Sequence, residues 1–565
     1  MAALAAPYLP RRPTESVLYG LVRQNLESFL AYAREHYDGG LPRYVEQELR
    51  AFLTCGVFSE GFVRCHCDTC GHDLLVAFSC RSRSICPSCC GRRMANTAAH
   101  LVDRVFPPNV PVRQYVLSLP YELRRLAAFK ADVLTALGRI FVEAIFASYR
   151  ARAKRGGVED AQCGAVNFVQ RVGSSINLHV HFHVAVLDGV FTRDADAGVL
   201  FHPAPGPTHA ELEAILARVE QRATAWLRRR GYLDDQPLDQ RSNEPPMQTA
   251  LDACAAIAMG RGQVATLPNA EAPDEADHES APDKPAVAVD RDGFNLHAGV
   301  RIEAGDDLGR ERLARYGARP PLSLERLRRL PGGRVAYRLK YVSRGRGKHR
   351  VMSGLEFMAR LAAIIAPPRY PLLRYAGVLG PRSAWRKDIV PKPRERRPTC
   401  NDAPAEASTV KPGAEPKKSD ASPRRPERSR GAALPARSAD GGAVMQPAPD
   451  VPDIVARPGD VIALAPNVLS VHHWDRLLGG ALYAATPRVD WARLLRRSLD
   501  VDVLQCPTCQ GRLRVLAVIT EREPVRRILA HLGLPSDAPP LAHARDPTDD
   551  LEDVEPSGQL GLALA

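Results

Sequence analysis

The stretch INLHVHFHVAVLDG, Ile176 to Gly189, sets His179, His181 and His183 at every second position of an otherwise apolar run. Side chains of an extended strand alternate between two faces, so the three imidazoles share one face and Val180, Phe182 and Val184 share the other. The second set belongs in a core. The first admits two readings, a metal site or histidines that only satisfy local hydrogen bonds. The preceding run GAVNFVQRVG (164–173) is also β-rich, and a short polar turn separates the two, which predicts an antiparallel hairpin. Gln170 on that neighbouring strand offers an oxygen. Two imidazoles and one oxygen would leave open positions on a divalent cation such as Mg²⁺ or Mn²⁺.

Outward from this hairpin, VPVRQYVLSLP (110–120) reads as a further strand. Residues 126–155 read as one long amphipathic helix closed by Gly156 and Gly157. Another helix should start at Thr208, where THAE has the capping-box pattern, and stop at Gly231. Strand, helix, paired strands and helix make an α+β pattern, with helices against one face of an antiparallel sheet. Residues 16–54 also read as helical. DDLGRERLARYGARPPL (306–322) predicts a helix with Asp306 or Asp307 near its N-cap, ending before Pro320 and Pro321. Tyr316 stands in its last turn, with Arg312, Arg315 and Arg319 around it. A tyrosine among guanidinium groups suits attack on a phosphoester, because the cations can hold the phosphate. A helix-end tyrosine packed on the body is the plainer alternative.

The segment CHCDTCGHDLLVAFSCRSRSICPSCCGRR, Cys65 to Arg93, holds Cys67-x-x-Cys70 and Cys86-x-x-Cys89, separated by 15 residues. Two such knuckles can close a tetrahedron of thiolates around a structural zinc ion, with Cys80 as the alternative ligand. Cys506-x-x-Cys509 has no further Cys-x-x-Cys pair left to join it. The 13 cysteines read as thiols or metal ligands, not disulfides.

The chain of 565 residues is too long for one core, and its formal charge of +13 points to a polyanionic partner such as nucleic acid. No apolar run is long enough to span a membrane, and the N-terminus lacks the regions of a signal peptide, so a cytoplasmic protein is expected. The divisions expected are a helical and zinc-binding unit over 15–105, an α+β unit over 108–391 with an unfolded acidic insertion at 267–290, a basic Pro- and Arg-rich linker over 392–454, a small C-terminal module with Cys-x-x-Cys over 455–535, and an unfolded tail over 536–565.

The residues quoted, above all the cysteine segment, VRQYVLSLPYELR, VNFVQRVGSSINLHVHFHVAVLDGVF and LARYGARPPLSLERL, resemble the transposases of the insertion sequence 91 family, rolling-circle elements built on an HUH endonuclease. The resemblance implies a zinc-binding domain followed by a nuclease with a ferredoxin-like or RRM-like antiparallel sheet, the histidine strand central and the tyrosine helix laid against it. It implies that His181 and His183 hold the catalytic Mg²⁺ or Mn²⁺. It also implies that Tyr316 cuts single-stranded DNA at element ends, leaving a 5′-phosphotyrosine and a free 3′-hydroxyl without a nucleotide cofactor, in a nucleoid-associated protein. The family's tyrosine pair is broken by Arg312, which favours a one-tyrosine variant; Tyr375 is the second candidate nucleophile. Rival readings are a rolling-circle replication initiator, a zinc-dependent DNA-binding protein whose nuclease has decayed, and a hydrolase that uses metal-bound water.

Overall fold

The computed structural model describes residues 11–196, 198–233, 249–260, 288–340, 348–391, 494–495 and 502–545. The expected linker (392–454), most of the acidic insertion and the tail beyond 545 lie outside the described residues.

The centre is a six-stranded antiparallel sheet ordered β13-β4-β5-β3-β9-β8. Its strands are β3 (Val112–Ser118), β4 (Gly164–Val172), β5 (Leu178–Leu187), β8 (Ala288–Arg291), β9 (Phe294–Ile302) and β13 (Leu373–Gly377). β5, the histidine strand, lies third, paired to β4 and β3, so the predicted hairpin forms. The turn between β4 and β5 is held by Asn177, whose Oδ1 accepts from the amide and hydroxyl of Ser175.

The period of two is realised. Val180, Phe182 and Val184 join Tyr115 and Leu117 in the main core, beneath α4 (Tyr121–Phe129), α5 (Ala131–Arg155), α6 (His209–Arg229), α7 (Ala250–Ala258) and α9 (Gly354–Ile364). α5 comes close because Gly138 has no side chain; a Cβ there would lie 3.1 Å from the Phe182 ring. The expected single helix over 126–155 is two helices, broken at Lys130. The α6 capping box forms as expected, Glu211 N–H donating to Thr208 Oγ1 at 3.2 Å and Thr208 N–H to Glu211 at 3.1 Å.

The expectation of helices on one face only is corrected. Val166, Phe168, Ala185 and Leu187 form a second core with α3 (Pro87–Arg104) and α8 (Asp307–Gly317). The sheet is covered on both sides because β4 and β5 are apolar at nearly every position apart from Asn167, Gln170, Arg171 and the histidines, and two apolar faces need two layers.

Asp188, fully buried just after β5, accepts from Arg113 Nε and Nη2 at 3.0 Å each, from Tyr149 Oη at 2.6 Å and from Arg301 Nε at 2.8 Å. Asp188→Ala would leave the buried Arg113 without a carboxylate and Arg301 with Glu303 alone, so a loss of about 3–5 kcal/mol is expected, read as a lower urea midpoint.

Around the sheet lie the hairpin of β6 (Gly189–Asp194) with β7 (Gly198–Pro203), and a small sheet of β10 (Leu327–Arg329), β11 (Val335–Arg338) and β12 (His349–Met352). The amino-terminal region has α1 (Val17–His36), α2 (Arg43–Thr54) and the hairpin β1 (Phe62–Cys67) with β2 (Asp73–Ala77). Two expectations fail at the other end of the chain. β14 (Leu513–Ile519), expected in a module of its own, pairs with β1, and α11 (Arg522–His531) packs Val525 and Leu529 on Phe62 and Leu75. Residues 541–545, expected in an unfolded tail, run along α1, where Arg545 N–H donates to Ser28 Oγ at 2.9 Å. Residues 288–290, placed in the acidic insertion, open β8.

Candidate metal and nucleophile site

β5 presents its imidazoles to the face covered by α8. Ring centroids are 4.9 Å apart for His179 and His181 and 5.0 Å for His181 and His183, and all three residues are buried. Burial pushes all three pKa values down, that of His181 to about 4, and no carboxylate opposes the effect. The rings are therefore neutral at pH 7, the form that ligates metals.

Their tautomers are set by neighbours. His181 Nδ1 lies 2.9 Å from the His179 carbonyl, to which it must donate, so the lone pair sits on Nε2. His183 Nδ1 lies 2.9 Å from the amide of Gln114, while its Nε2 is buried without a hydrogen-bond partner among the described residues. The Gln114 contact works in either sense. With the amide oxygen turned inward, Nδ1–H donates and Nε2 of His183 is free for a cation. Two buried imidazole nitrogens, one orphaned, fit a divalent cation with open positions. Gln114 was missed in the sequence, though a glutamine in the apolar strand VRQYVLS was the available signal.

Gln170 is not free to be the third ligand. Its Nε2 donates to the carbonyls of Tyr316 (2.7 Å) and Gly317 (3.1 Å), and its Oε1 accepts from Arg319 Nε (3.0 Å). It ties the end of α8 to β4 instead.

α8 is positioned at both ends. Asp306 caps it, accepting from Gly309 N–H at 2.8 Å. Buried Arg310 donates to the carbonyls of Pro108 (2.7 Å) and Val110 (2.8 Å) and pairs with Asp307. At Gly317 a Cβ would lie 2.8 Å from the Phe168 ring, so only glycine lets the last turn settle on β4. The adjacent Tyr316 then stands edge-on to His183 with ring centroids 5.3 Å apart, partly exposed, with the Arg319 guanidinium 4.6 Å over its ring. Arg312 is exposed one turn earlier, whereas Arg315 is paired with Glu311 at 2.7 Å.

Tyr375 lies on β13 opposite Val166, two strands from β5. Burial pushes its phenol up to about 12, and Arg386 covers its ring.

Beside Tyr316 opens a cleft of about 450 Å³ between α3, the end of β4, the residues after α8 and the small sheet. Arg83, Arg93, Arg171, Arg319, Arg326 and Lys340 line it, and no Asp or Glu does. Arg326 donates to the carbonyls of Ser174 and Arg338 and lies over the Tyr337 ring.

The cysteines form two groups, which corrects the expected set of Cys67, Cys70, Cys86 and Cys89. Cys86 and Cys89, at the start of α3, meet Cys55 and Cys80; Sγ separations are 3.5 Å for Cys55–Cys86, 3.8 Å for Cys55–Cys89 and 3.6 Å for Cys80–Cys89. The Cys55–Cys80 contact pushes Cys55 far down and Cys80 far up, as packed thiols do when one proton must be shared. Cys67 and Cys70 meet Cys506 and Cys509. The reason is the strand hidden in the 15-residue gap. DLLVA is β2, so Cys67 and Cys70 occupy the tip of the β1–β2 hairpin while Cys55 and Cys80 flank its base, roughly 17 Å away at the rise of a strand. Cys80, the expected alternative, is thus a full member of one group, and Cys55 was missed.

No helix among the described residues is long and apolar enough to cross a membrane. Residues 22–119 match a family model described as a transposase zinc-binding domain, and residues 164–386 match one described as a putative transposase. The transposase for insertion sequence element IS801 of Pseudomonas savastanoi pv. phaseolicola is 23% identical over 350 residues, covering 61% of this chain and 72% of that relative. No solved structure matches the chain. With a zinc-binding and a transposase region matched in order, and the group of Cys55, Cys80, Cys86 and Cys89 suited to structural zinc in the first, the chain belongs to the insertion sequence 91 family of transposases.

Proposed function

We propose that the chain nicks and rejoins single-stranded DNA at the ends of a rolling-circle element, with Tyr316 as the nucleophile. The observation that carries this reading is the contact of a partly exposed tyrosine with a ladder of buried, neutral imidazoles on one strand face. Tyr316 Oη attacks the scissile phosphorus and loses its proton; the P–O3′ bond breaks, leaving the 5′-phosphate on the tyrosine and a 3′-hydroxyl. A divalent cation such as Mg²⁺ or Mn²⁺ held at Nε2 of His181 and His183 would polarise the phosphoryl oxygen as a Lewis acid. Arg319, fixed by Gln170 and lying over the Tyr316 ring, holds the phosphate beside the nucleophile. The flanking strand lies in the cationic cleft, its backbone met by Arg326 and Lys340. Because the phosphotyrosine keeps the phosphoester energy, the reverse attack by a 3′-hydroxyl rejoins strands without ATP.

The test is a single-stranded oligonucleotide from the element's terminus, labelled at its 3′ end, incubated with protein and Mg²⁺ or Mn²⁺ and run on a denaturing protein gel. A label carried to the protein's mass is expected. Binding with no covalent band in either metal would overturn the nuclease and favour a DNA-binding protein with a decayed site.

The depressed imidazoles also set a pH dependence. A group held below its usual pKa stays unprotonated as pH falls through 6.5, so Mn²⁺ binding should survive to pH 5.5 and fail nearer 4. An ordinary pair, each roughly one-tenth neutral at pH 5.5, would lose on the order of 100-fold. Electron paramagnetic resonance titration at pH 7.5 and 5.5 should show less than about a threefold change.

A further inference from the structure

The second cysteine group joins parts of the chain more than 400 residues apart, and its two halves are built alike. In each Cys-x-x-Cys turn the first cysteine's N–H donates to the carbonyl five residues on, Cys67 to His72 at 2.9 Å and Cys506 to Gly511 at 2.8 Å. In each, the residue four places on donates back to the first cysteine's carbonyl, Gly71 to Cys67 at 2.8 Å and Gln510 to Cys506 at 2.9 Å. Both of those residues take the left-handed backbone, at φ 74° and 62°. A left-handed turn of this kind aims two thiols at one point.

The halves face each other across the β1–β14 pair, with Cys67 and Cys509 Sγ 3.5 Å apart and Cys70 and Cys506 Sγ also 3.5 Å apart. All four sulfurs lie within 4.8 Å of one another. Zinc–sulfur bonds of about 2.3 Å in a tetrahedron require sulfurs roughly 3.8 Å apart, so the four need only small adjustments around an ion. Gly511 is confined as well, since a Cβ there would lie 3.2 Å from Cys509 Sγ and 3.3 Å from Cys67 Sγ.

We propose that Cys67, Cys70, Cys506 and Cys509 hold a second zinc ion, which clasps the C-terminal segment 502–545 to the amino-terminal region. The matched zinc-binding domain ends at residue 119 and so contains only half of these ligands. Packing alone gives β14 little hold, because Leu516 and Val518 are exposed and the core around the thiols is small. Metal binding replaces four thiol protons with four Zn–S bonds and closes a loop whose entropy otherwise favours release. The two sites also differ in access. Each group has two buried cysteines, but the other two are half-buried in the first (Cys80, Cys89) and exposed in the second (Cys70, Cys509), so the clasp exchanges its metal first. The proposal does not depend on the nuclease reading, and its test involves no DNA.

The full-length protein is analysed for zinc by plasma mass spectrometry, with trypsin as the probe of the C-terminal segment. Two zinc ions per chain are expected in the wild type and one in Cys506→Ser/Cys509→Ser, with cleavage after Arg512 and Arg514 at least about tenfold faster in the variant. Should the variant not fold, chelation of the wild type decides instead. Zinc should leave in two phases, the fast one releasing only the C-terminal segment to trypsin. A single zinc in the wild type, two in the variant, one-phase release, or an intact mass reduced by the hydrogens of two disulfides would each overturn the clasp.

Discussion

Tyr316→Phe is expected to lower the covalent protein–DNA product by roughly 10³-fold or more, to below detection on a denaturing gel, while affinity for the same oligonucleotide changes by less than about threefold. The substitution removes one oxygen from a partly exposed ring and leaves the edge-on contact with His183 in place. Nothing in the core depends on that hydroxyl, so a lost band with retained binding isolates the nucleophile. His181→Ala/His183→Ala should also lose the band, through loss of the two Nε2 donors. Tyr375→Phe should keep it, because burial holds that phenol protonated to about pH 12 on a strand two places from the imidazoles. A covalent band that survives Tyr316→Phe and vanishes with Tyr375→Phe would reassign the nucleophile. DNA cut without a band in any variant would point to attack by water.

Much of this site was legible because local rules decide it. Alternation sorted the histidines from the valines of β5, and Asp306 with Pro320 and Pro321 bounded α8 as capping chemistry requires. What local rules could not see was what a strand comes to face. Gln170 is a plausible oxygen ligand by spacing, yet the carbonyls at the end of α8 take its amide and Arg319 takes its oxygen. The zinc sites failed for a related reason. Counting Cys-x-x-Cys pairs treats the residues between them as slack, whereas DLLVA is a rigid strand that holds the pairs apart. Four of its five positions, Leu74 to Ala77, are apolar, which is the local signature of a strand. The partnership of Cys67 with Cys509 spans 442 residues and has no local signature beyond a second Cys-x-Thr-Cys turn.

Separating the two groups makes the other large effect predictable. Cys86→Ser/Cys89→Ser should remove one zinc per chain and lower the melting temperature by about 10 °C or more. In isolated zinc fingers a structural ion contributes ~10–16 kcal/mol, and a third of that is already a large part of the ~5–15 kcal/mol net stability of a domain. Here core packing carries some of the load, since Cys55 and Cys86 sit among Phe52, Ile85 and Val57. The ion still joins three segments at one point: the end of α2, the end of the β1–β2 hairpin and the first turn of α3. Without it four sulfurs stay packed together with no cation to bind them. Cys65→Ser is the control, because Cys65 is buried in the same hairpin but belongs to neither group, and it should keep both zinc ions. The damage should reach the DNA site as well. α3 shares its core with Leu313 and Ala314 of α8 and supplies Arg93 to the cationic cleft, so loosening α3 loosens the helix that presents Tyr316. Loss of the clasp at Cys506 and Cys509 touches neither α3 nor α8. The covalent product should therefore fall with the first pair of substitutions and persist with the second; equal loss from both would mean that the two cysteine groups stabilise one indivisible unit.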